Sequence, residues 1–198
     1  MDTLDSRRSP GVKKLKGTGD SIMPVRKVML YIATSADGYI ADTDGGIDFL
    51  SAAQTSGEDY GYDDFIKSVD TILWGRKTYD RLLSFGIPFP YKHMKCYVLS
   101  RTRTGRDENV EYFNGDIGEL IGDLRKHEGK RIYCDGGAEI VSELMKRALI
   151  DEFIMTVIPV FLGNGIALFK PGGQQLQLQL AGIRSFPSGV VQLHYIRK

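Results

Sequence analysis

With 198 residues, 42% of them apolar and 26% charged, the chain has the length and balance of one globular domain, and extensive disorder is excluded. A net charge of +1 gives no general field to attract nucleic acid or an anionic membrane, and no stretch reaches the ~18 apolar residues of a membrane span. Two cysteines and three scattered histidines cannot frame a metal site, so no metal is expected, and the low cysteine count suits a reduced, cytoplasmic setting.

Residues 1–26 read as a disordered basic leader. Met1 to Lys27 holds seven basic and three acidic residues among Ser, Gly and Pro, without apolar periodicity. It has no apolar segment of the kind a secretory signal needs. The domain is expected over 27–198.

Val28 to Thr34 is a short apolar, β-branched run and predicts a buried strand. Asp37-Gly38 is a turn signal, Tyr39-Ile40-Ala41 resumes extended structure, and Asp42 to Gly46 is a loop. Glu58 to Ser68 predicts an acid-started helix, Thr71 to Trp74 a strand, and Lys77 to Leu83 a helix. Ile87-Pro88-Phe89-Pro90 cannot continue that helix. Strands follow at Cys96 to Ser100 and Val110 to Phe113, with both cysteines expected to be buried. Asp116 to His127 predicts an amphipathic helix with Ile117, Leu120, Ile121 and Leu124 on one side. Arg131 to Cys134 predicts a strand, and Ala138 to Leu149 a helix with Ile140, Val141, Leu144 and Met145 inward. The last third is strands alone: Glu152 to Val160, the alternating Gln175 to Leu180, and Val190 to Ile196 after a Ser188-Gly189 turn. The fold class expected is α/β, a mixed and mostly parallel sheet finished by antiparallel strands.

Three strand-end joints carry the chemistry. At Trp74-Gly75-Arg76-Lys77-Thr78 a strand passes through glycine into a helix whose first residues are cationic. Free N–H groups and the positive end of the helix dipole favour an anion there, and a bound phosphate would account for cations placed against that dipole. Cys134-Asp135-Gly136-Gly137-Ala138-Glu139 is a second strand-to-helix joint, whose glycines permit close backbone approach; it lacks the G-x-G-x-x-G spacing of an ordinary dinucleotide turn. Leu99-Ser100-Arg101-Thr102-Arg103 brings hydroxyls and guanidinium groups to a third strand end, where an arginine can grip a phosphate bidentately. Three such joints suit an extended molecule with several phosphates.

Taken in order, Ser35-Ala36-Asp37-Gly38-Tyr39-Ile40-Ala41, Gly75-Arg76-Lys77-Thr78-Tyr79, Val98-Leu99-Ser100-Arg101, Asp135-Gly136-Gly137-Ala138 and Pro159-Val160-x-Leu162-Gly163-x-Gly165 show a family likeness. The chain resembles the dihydrofolate reductase-like superfamily, most closely the reductase domain of the bacterial riboflavin-biosynthesis deaminase–reductase and its stand-alone relatives. The likeness covers nearly everything from Lys27 to Lys198.

It implies a three-layer α/β/α domain that binds NADPH and reduces a small molecule. Gly75, Arg76, Lys77 and Thr78 would hold cofactor phosphates. Leu99, Ser100 and Arg101 would take the adenosine end with its 2′-phosphate, and Gly136, Gly137, Ala138 and Glu139 the pyrophosphate, with a cis Gly–Gly peptide. Ala33 and Ile40 match the positions flanking the nicotinamide. Thr156 matches a threonine near the substrate ring, and Asp37 is the catalytic candidate, expected to face the nicotinamide. Trp74 is expected beside the phosphate-binding turn.

Folate reductases anchor the pterin with a carboxylate on the first long helix, preceded by Trp. Here Asp59, Asp63 and Asp64 are available without that Trp, and Asp64 is kept as a substrate-binding candidate. A phosphoribosylated pyrimidine would need a cation, for which Arg81, Lys67 and Arg103 are open choices. The H-x-E and P-C-x-x-C motifs of a zinc deaminase are absent, so the chain is at most the reductase half. Three readings stand: a pyrimidine reductase of the riboflavin type, a reductase of dihydrofolate or another small heterocycle, and a non-catalytic NADP(H) binder. Similar proteins also suggest a homodimer, with Gln175 to Leu180 suited either to a partner surface or to covering the chain's own core.

Overall fold

The computed structural model describes residues 25–198, so that residues 1–24 of the leader expected over 1–26 lie outside the described residues. Eleven strands and four α-helices are present in that range. Arg26, assigned to the leader by its charge, belongs to the fold. It is buried, donates to Lys130 O and Thr71 Oγ1 at 2.8 Å each, and pairs with Asp70.

The strands are β1 (Val28–Ser35), β2 (Tyr39–Ala41), β3 (Val69–Gly75), β4 (Lys95–Leu99), β5 (Gly105–Arg106) and β6 (Glu111–Phe113), followed by β7 (Arg131–Gly136), β8 (Glu152–Ile158), β9 (Ile166–Ala167), β10 (Leu178–Ser185) and β11 (Val191–Arg197). The helices are α1 (Tyr62–Lys67), α2 (Arg76–Ser84), α3 (Ile117–Arg125) and α4 (Ala138–Lys146). Nine strands form one sheet in the order β10-β11-β8-β1-β7-β3-β4-β6-β5, while β2 and β9 pair separately. The pairings from β8 through β6 are parallel; β11 joins β8, and β10 joins β11, antiparallel. This is the mixed sheet the alternating pattern predicts.

Successive strand residues point to opposite faces, so neighbours serve different cores. Leu73 packs with Val28, Ile121, Val141 and Leu144 on the face covered by α3 and α4. Ile72 and Trp74 pack with Phe65 and Tyr79 on the face covered by α1 and α2. The result is three layers. Full burial of Leu144 is worth roughly 1.5–3 kcal/mol, and its truncation to Ala would cost about 2–5 kcal/mol. Cys96 and Cys134 are free and buried, as expected of small apolar side chains.

Some boundaries differ from the periodicity, for local reasons. α1 starts at Tyr62 rather than Glu58, because Tyr60 (φ 58°) and Gly61 (φ 84°) adopt left-handed backbone that no helix can include. α4 stops at Lys146 rather than Leu149, since Ala148 (φ 48°) turns the chain. α3 keeps the predicted start, where Asp116 accepts from Gly118 N and Glu119 N at 2.7 and 3.2 Å. β10 begins three residues later than the alternating run and continues to Ser185.

Candidate active site

Parallel strands deliver their joints to one edge of the sheet. Because β7, β3 and β4 are adjacent, the three glycine- and cation-bearing joints stand side by side, with Trp74 level with Gly136 and Gly75 level with Leu99. Ligands of open α/β sheets bind in the crevice at such strand ends.

A cleft of about 1440 Å³ opens there. The Gly75–Thr78 turn, the Leu99–Thr102 segment and Gly137, Ala138 and Glu139 line it, together with Ala33 and Ile40. Gly136 lies behind the surface, but its peptide to Gly137 is cis, as the resemblance implies. The glycines meet closely. A Cβ at Gly137 would stand 3.0 Å from Thr78 Oγ1, so a side chain there would require Thr78 to shift by a few tenths of an ångström. Ser100 is buried, and its Oγ accepts from Arg103 N at 2.9 Å, which turns the chain and leaves its hydroxyl hydrogen free.

Lys77 and Arg101 put positive charge on the cleft wall, and Lys170 joins them from the segment after β9. Glu139 lies among these cations: Lys170 pairs with it, and Arg101 and Lys77 help hold its carboxyl below the ordinary range. Arg103 is engaged elsewhere, paired with Asp80 at 2.7 Å and stacked over Tyr112.

Three expected substrate-side residues are not on the cleft surface. Asp64 is exposed and paired with Lys67 at 3.0 Å, because α1 turns its acidic face to solvent. Thr156 is buried behind the wall, where Oγ1 accepts from Gln192 Nε2 at 3.0 Å. Asp37 is turned away from the cleft and accepts from Ser35 Oγ at 2.6 Å, Leu162 N at 3.1 Å and Gly163 N at 2.7 Å. The Ser35 bond chiefly, with the two N–H groups, holds the Asp37 carboxyl below its ordinary range. A carboxylate so held is a poor proton donor, which corrects the catalytic expectation. Of the three candidate cations for a substrate phosphate, only Arg81 lines the cleft, its guanidinium over Phe85 at 5.5 Å.

Asp135 is the residue that sequence reading left without a role. It reaches the cleft wall from β7, enclosed on its other sides by aromatic rings. Trp74 Nε1 donates to Oδ2 at 2.6 Å, and the Tyr133 hydroxyl to Oδ1 at 2.5 Å. Desolvation raises its pKa, and the two donated bonds only partly oppose that. Tyr31, Tyr62 and Tyr133 line the same end of the cleft. The signal was an acid placed directly before Gly136-Gly137 at a parallel strand end. Trp74 itself is fully buried on the α2 side of the sheet, so it stands behind the cleft wall rather than beside the turn's open face.

Among the described residues, no group of His, Cys, Asp and Glu could hold a metal ion, and no helix is long and apolar enough to cross a membrane.

Residues 26–192 match the family described as the RibD C-terminal domain. The Bacillus subtilis (strain 168) protein YwjB, itself uncharacterized, is 43% identical over 173 residues, covering 87% of this chain and 98% of YwjB. A solved Shewanella sp. PV-4 protein named for riboflavin biosynthesis superposes with a TM-score of 0.80 at 33% identity, covering 87% of this chain and 99% of that one. Enterococcus faecalis dihydrofolate reductase, solved with NADP(H), shares the fold at a TM-score of 0.63 and 16% identity, covering 87% of this chain and 96% of that one. The chain therefore belongs to the RibD C-terminal domain family, built on the fold of the dihydrofolate reductase-like enzymes.

Proposed function

We propose that the chain is an NADPH-dependent oxidoreductase that reduces a C=N bond in a small anionic heterocycle, of the kind handled by the pyrimidine reductase of riboflavin synthesis. The observation that carries this reading is the convergence of three anion-friendly joints and Asp135 on one cleft. The volume and lining of the cleft support this reading: Gly75 and Gly137 are among its lining residues, and Lys77, Arg101 and Lys170 offer cations for phosphates.

Bound NADPH would supply a hydride from C4 of its dihydronicotinamide ring. The chain's part is positioning and proton supply. Ala33 and Ile40 present a largely apolar wall against a flat ring, and Gly75, Thr78 and Gly137 leave room for the diphosphate. As hydride reaches the carbon of C=N, the electron pair of the π bond goes to nitrogen. Asp135, whose pKa burial raises, would supply the proton to it from within the same cleft, and Tyr133 fixes the carboxyl group's orientation.

Arg81 supplies a cation for a substrate phosphate, and the position of Asp64 outside the cleft, which leaves α1 without the carboxylate a pterin needs, is what speaks against dihydrofolate. A homodimer is part of the proposal. β10 is an edge strand with Leu178, Leu180 and Ile183 exposed, a surface suited to a second copy.

The decisive experiment follows NADPH oxidation with 5-amino-6-(5-phosphoribosylamino)uracil and with dihydrofolate. Turnover of the pyrimidine alone is expected. Turnover of dihydrofolate alone overturns the substrate assignment, and failure to bind NADPH overturns the whole reading. Sedimentation of the full chain tests the dimer.

A further inference from the structure

The Ser35-Ala36-Asp37-Gly38 motif has no part in the cleft chemistry, yet its carboxylate is strongly engaged. Oδ1 takes the Ser35 hydroxyl and Leu162 N, and Oδ2 takes Gly163 N, joining segments 125 residues apart in the chain. Ser35 Oγ also accepts from Tyr39 N at 2.9 Å, which fixes the turn that presents Asp37.

Around this clamp, Ala36 N donates to Val160 O at 2.8 Å and Leu168 N to Gly38 O at 3.0 Å. β2 and β9 pair directly beyond the second of these bonds, and Gly165 is forced there. Its φ is 158°, and a Cβ would stand 2.3 Å from Ala41 O. The product is a ribbon of two very short strands, of which Ile40, Ala41, Ile166 and Ala167 line the cleft. A two-stranded ribbon of this length is marginal without further ties. Bonds from N–H groups to an ionised carboxylate are about twice as strong as neutral ones, which makes Asp37 the strongest of those ties.

We infer that Asp37 is a positioning residue, whose clamp on Leu162 and Gly163 sets the β2–β9 ribbon as the wall of the nicotinamide half of the cleft and leaves the adenosine half untouched. This rests on the NADPH reading above. The two halves are separable because Arg101 and the Leu99–Thr102 segment lie on β4's joint, whereas the ribbon is anchored to β1 and β8.

The test measures Kd for NADPH and for 2′,5′-ADP, the adenosine half alone, by calorimetry on the full chain. Asp37→Asn keeps one acceptor oxygen and turns an N–H donor toward one of the backbone amides. It should weaken NADPH roughly tenfold, the effect of losing one charge-assisted bond, and leave 2′,5′-ADP within about twofold. Amide exchange at 162 and 163 should quicken in the same variant. Ser35→Ala should give the same selective loss in smaller measure, and it serves if Asp37→Asn does not fold. Equal loss of both ligands, or loss of neither, overturns the positioning role. Wild-type protein that binds neither ligand overturns the cofactor reading itself, an outcome distinct from either of those.

Discussion

The Trp74 indole N–H donates to the Asp135 carboxyl group at 2.6 Å, so the chain's single tryptophan is bonded to a group on the cleft wall. The ring is fully buried and does not touch the cleft's open face. A ligand there is sensed through the wall, by energy transfer to a reduced nicotinamide and by any change in the charge of Asp135. Titration with NADPH should therefore quench Trp74 emission saturably and sensitise the cofactor's own fluorescence, whereas NADP⁺ should give a smaller change. An unaltered spectrum at saturating NADPH would refute occupancy of this cleft.

Asp135 has a direct bearing on pH dependence. Burial raises its folded pKa above the unfolded value, so the neutral acid survives to higher pH than an ordinary aspartate. Its contribution to stability is complete below the unfolded pKa and is lost as pH rises through the folded one. A rate that needs its proton should fall over that same rising limb. Asp135→Asn keeps the shape and cannot ionise. It should lower the reduction rate by about 10²-fold or more, leave NADPH affinity near wild type, and flatten the limb in a pH–rate profile. An unchanged limb would show that another group supplies the proton.

Much of the lining of this cleft was legible in the chain, because glycines and cations at the ends of neighbouring strands mark where the joints fall. Gly75, Arg101 and Gly137 fell where the pattern of strand then helix put them, and neighbouring parallel strands brought them together. Asp37 was misread because an Asp-Gly turn gives no clue to its partners: Leu162 and Gly163 are over a hundred residues away, and only the tertiary fold turns the carboxylate toward them. Asp64 failed for a local reason, since the left-handed pair Tyr60 and Gly61 sets the rotation of α1. Asp135 stood in a quoted motif, and Tyr133 two residues before it shares its face, but its enclosure also needs Trp74 from the neighbouring β3, which no single-strand pattern reveals. β9 was invisible because two residues carry no period.

Arg101 and Arg103 look alike in sequence and differ in engagement. Arg101 lines the cleft, while Arg103 is held by Asp80 and Tyr112. A 2′-phosphate distinguishes NADPH from NADH, and a bidentate guanidinium is the group best shaped to read it. Arg101→Ala should weaken NADPH by roughly 10- to 100-fold, consistent with loss of a charge-assisted pair, and NADH by no more than about threefold. Arg103→Ala should change the two dinucleotides equally. Equal losses from Arg101→Ala would place the 2′-phosphate elsewhere.

Glu139 opens α4 at the point where a diphosphate would sit, and a carboxylate repels a phosphate. Its neighbours resolve the conflict. Lys170 pairs with it, and Lys77 and Arg101 lie near enough to depress its pKa. The Lys170–Glu139 pair is largely in water, with side chains 42% and 78% exposed, and an exposed pair contributes only about 0–1 kcal/mol. Lys170 can therefore leave Glu139 for a phosphate at little cost. Glu139→Gln removes the competitor and should tighten NADPH by about 3- to 10-fold at low ionic strength, with the gain shrinking as salt screens the charges. Lys170→Gln should weaken NADPH, and in the double variant the gain from Glu139→Gln should largely vanish, because the cation it releases is gone. Thermal stability should barely move in any of the three. Weaker binding in Glu139→Gln would mean that the carboxylate holds the cofactor directly, through a ribose hydroxyl, rather than standing in for its phosphates.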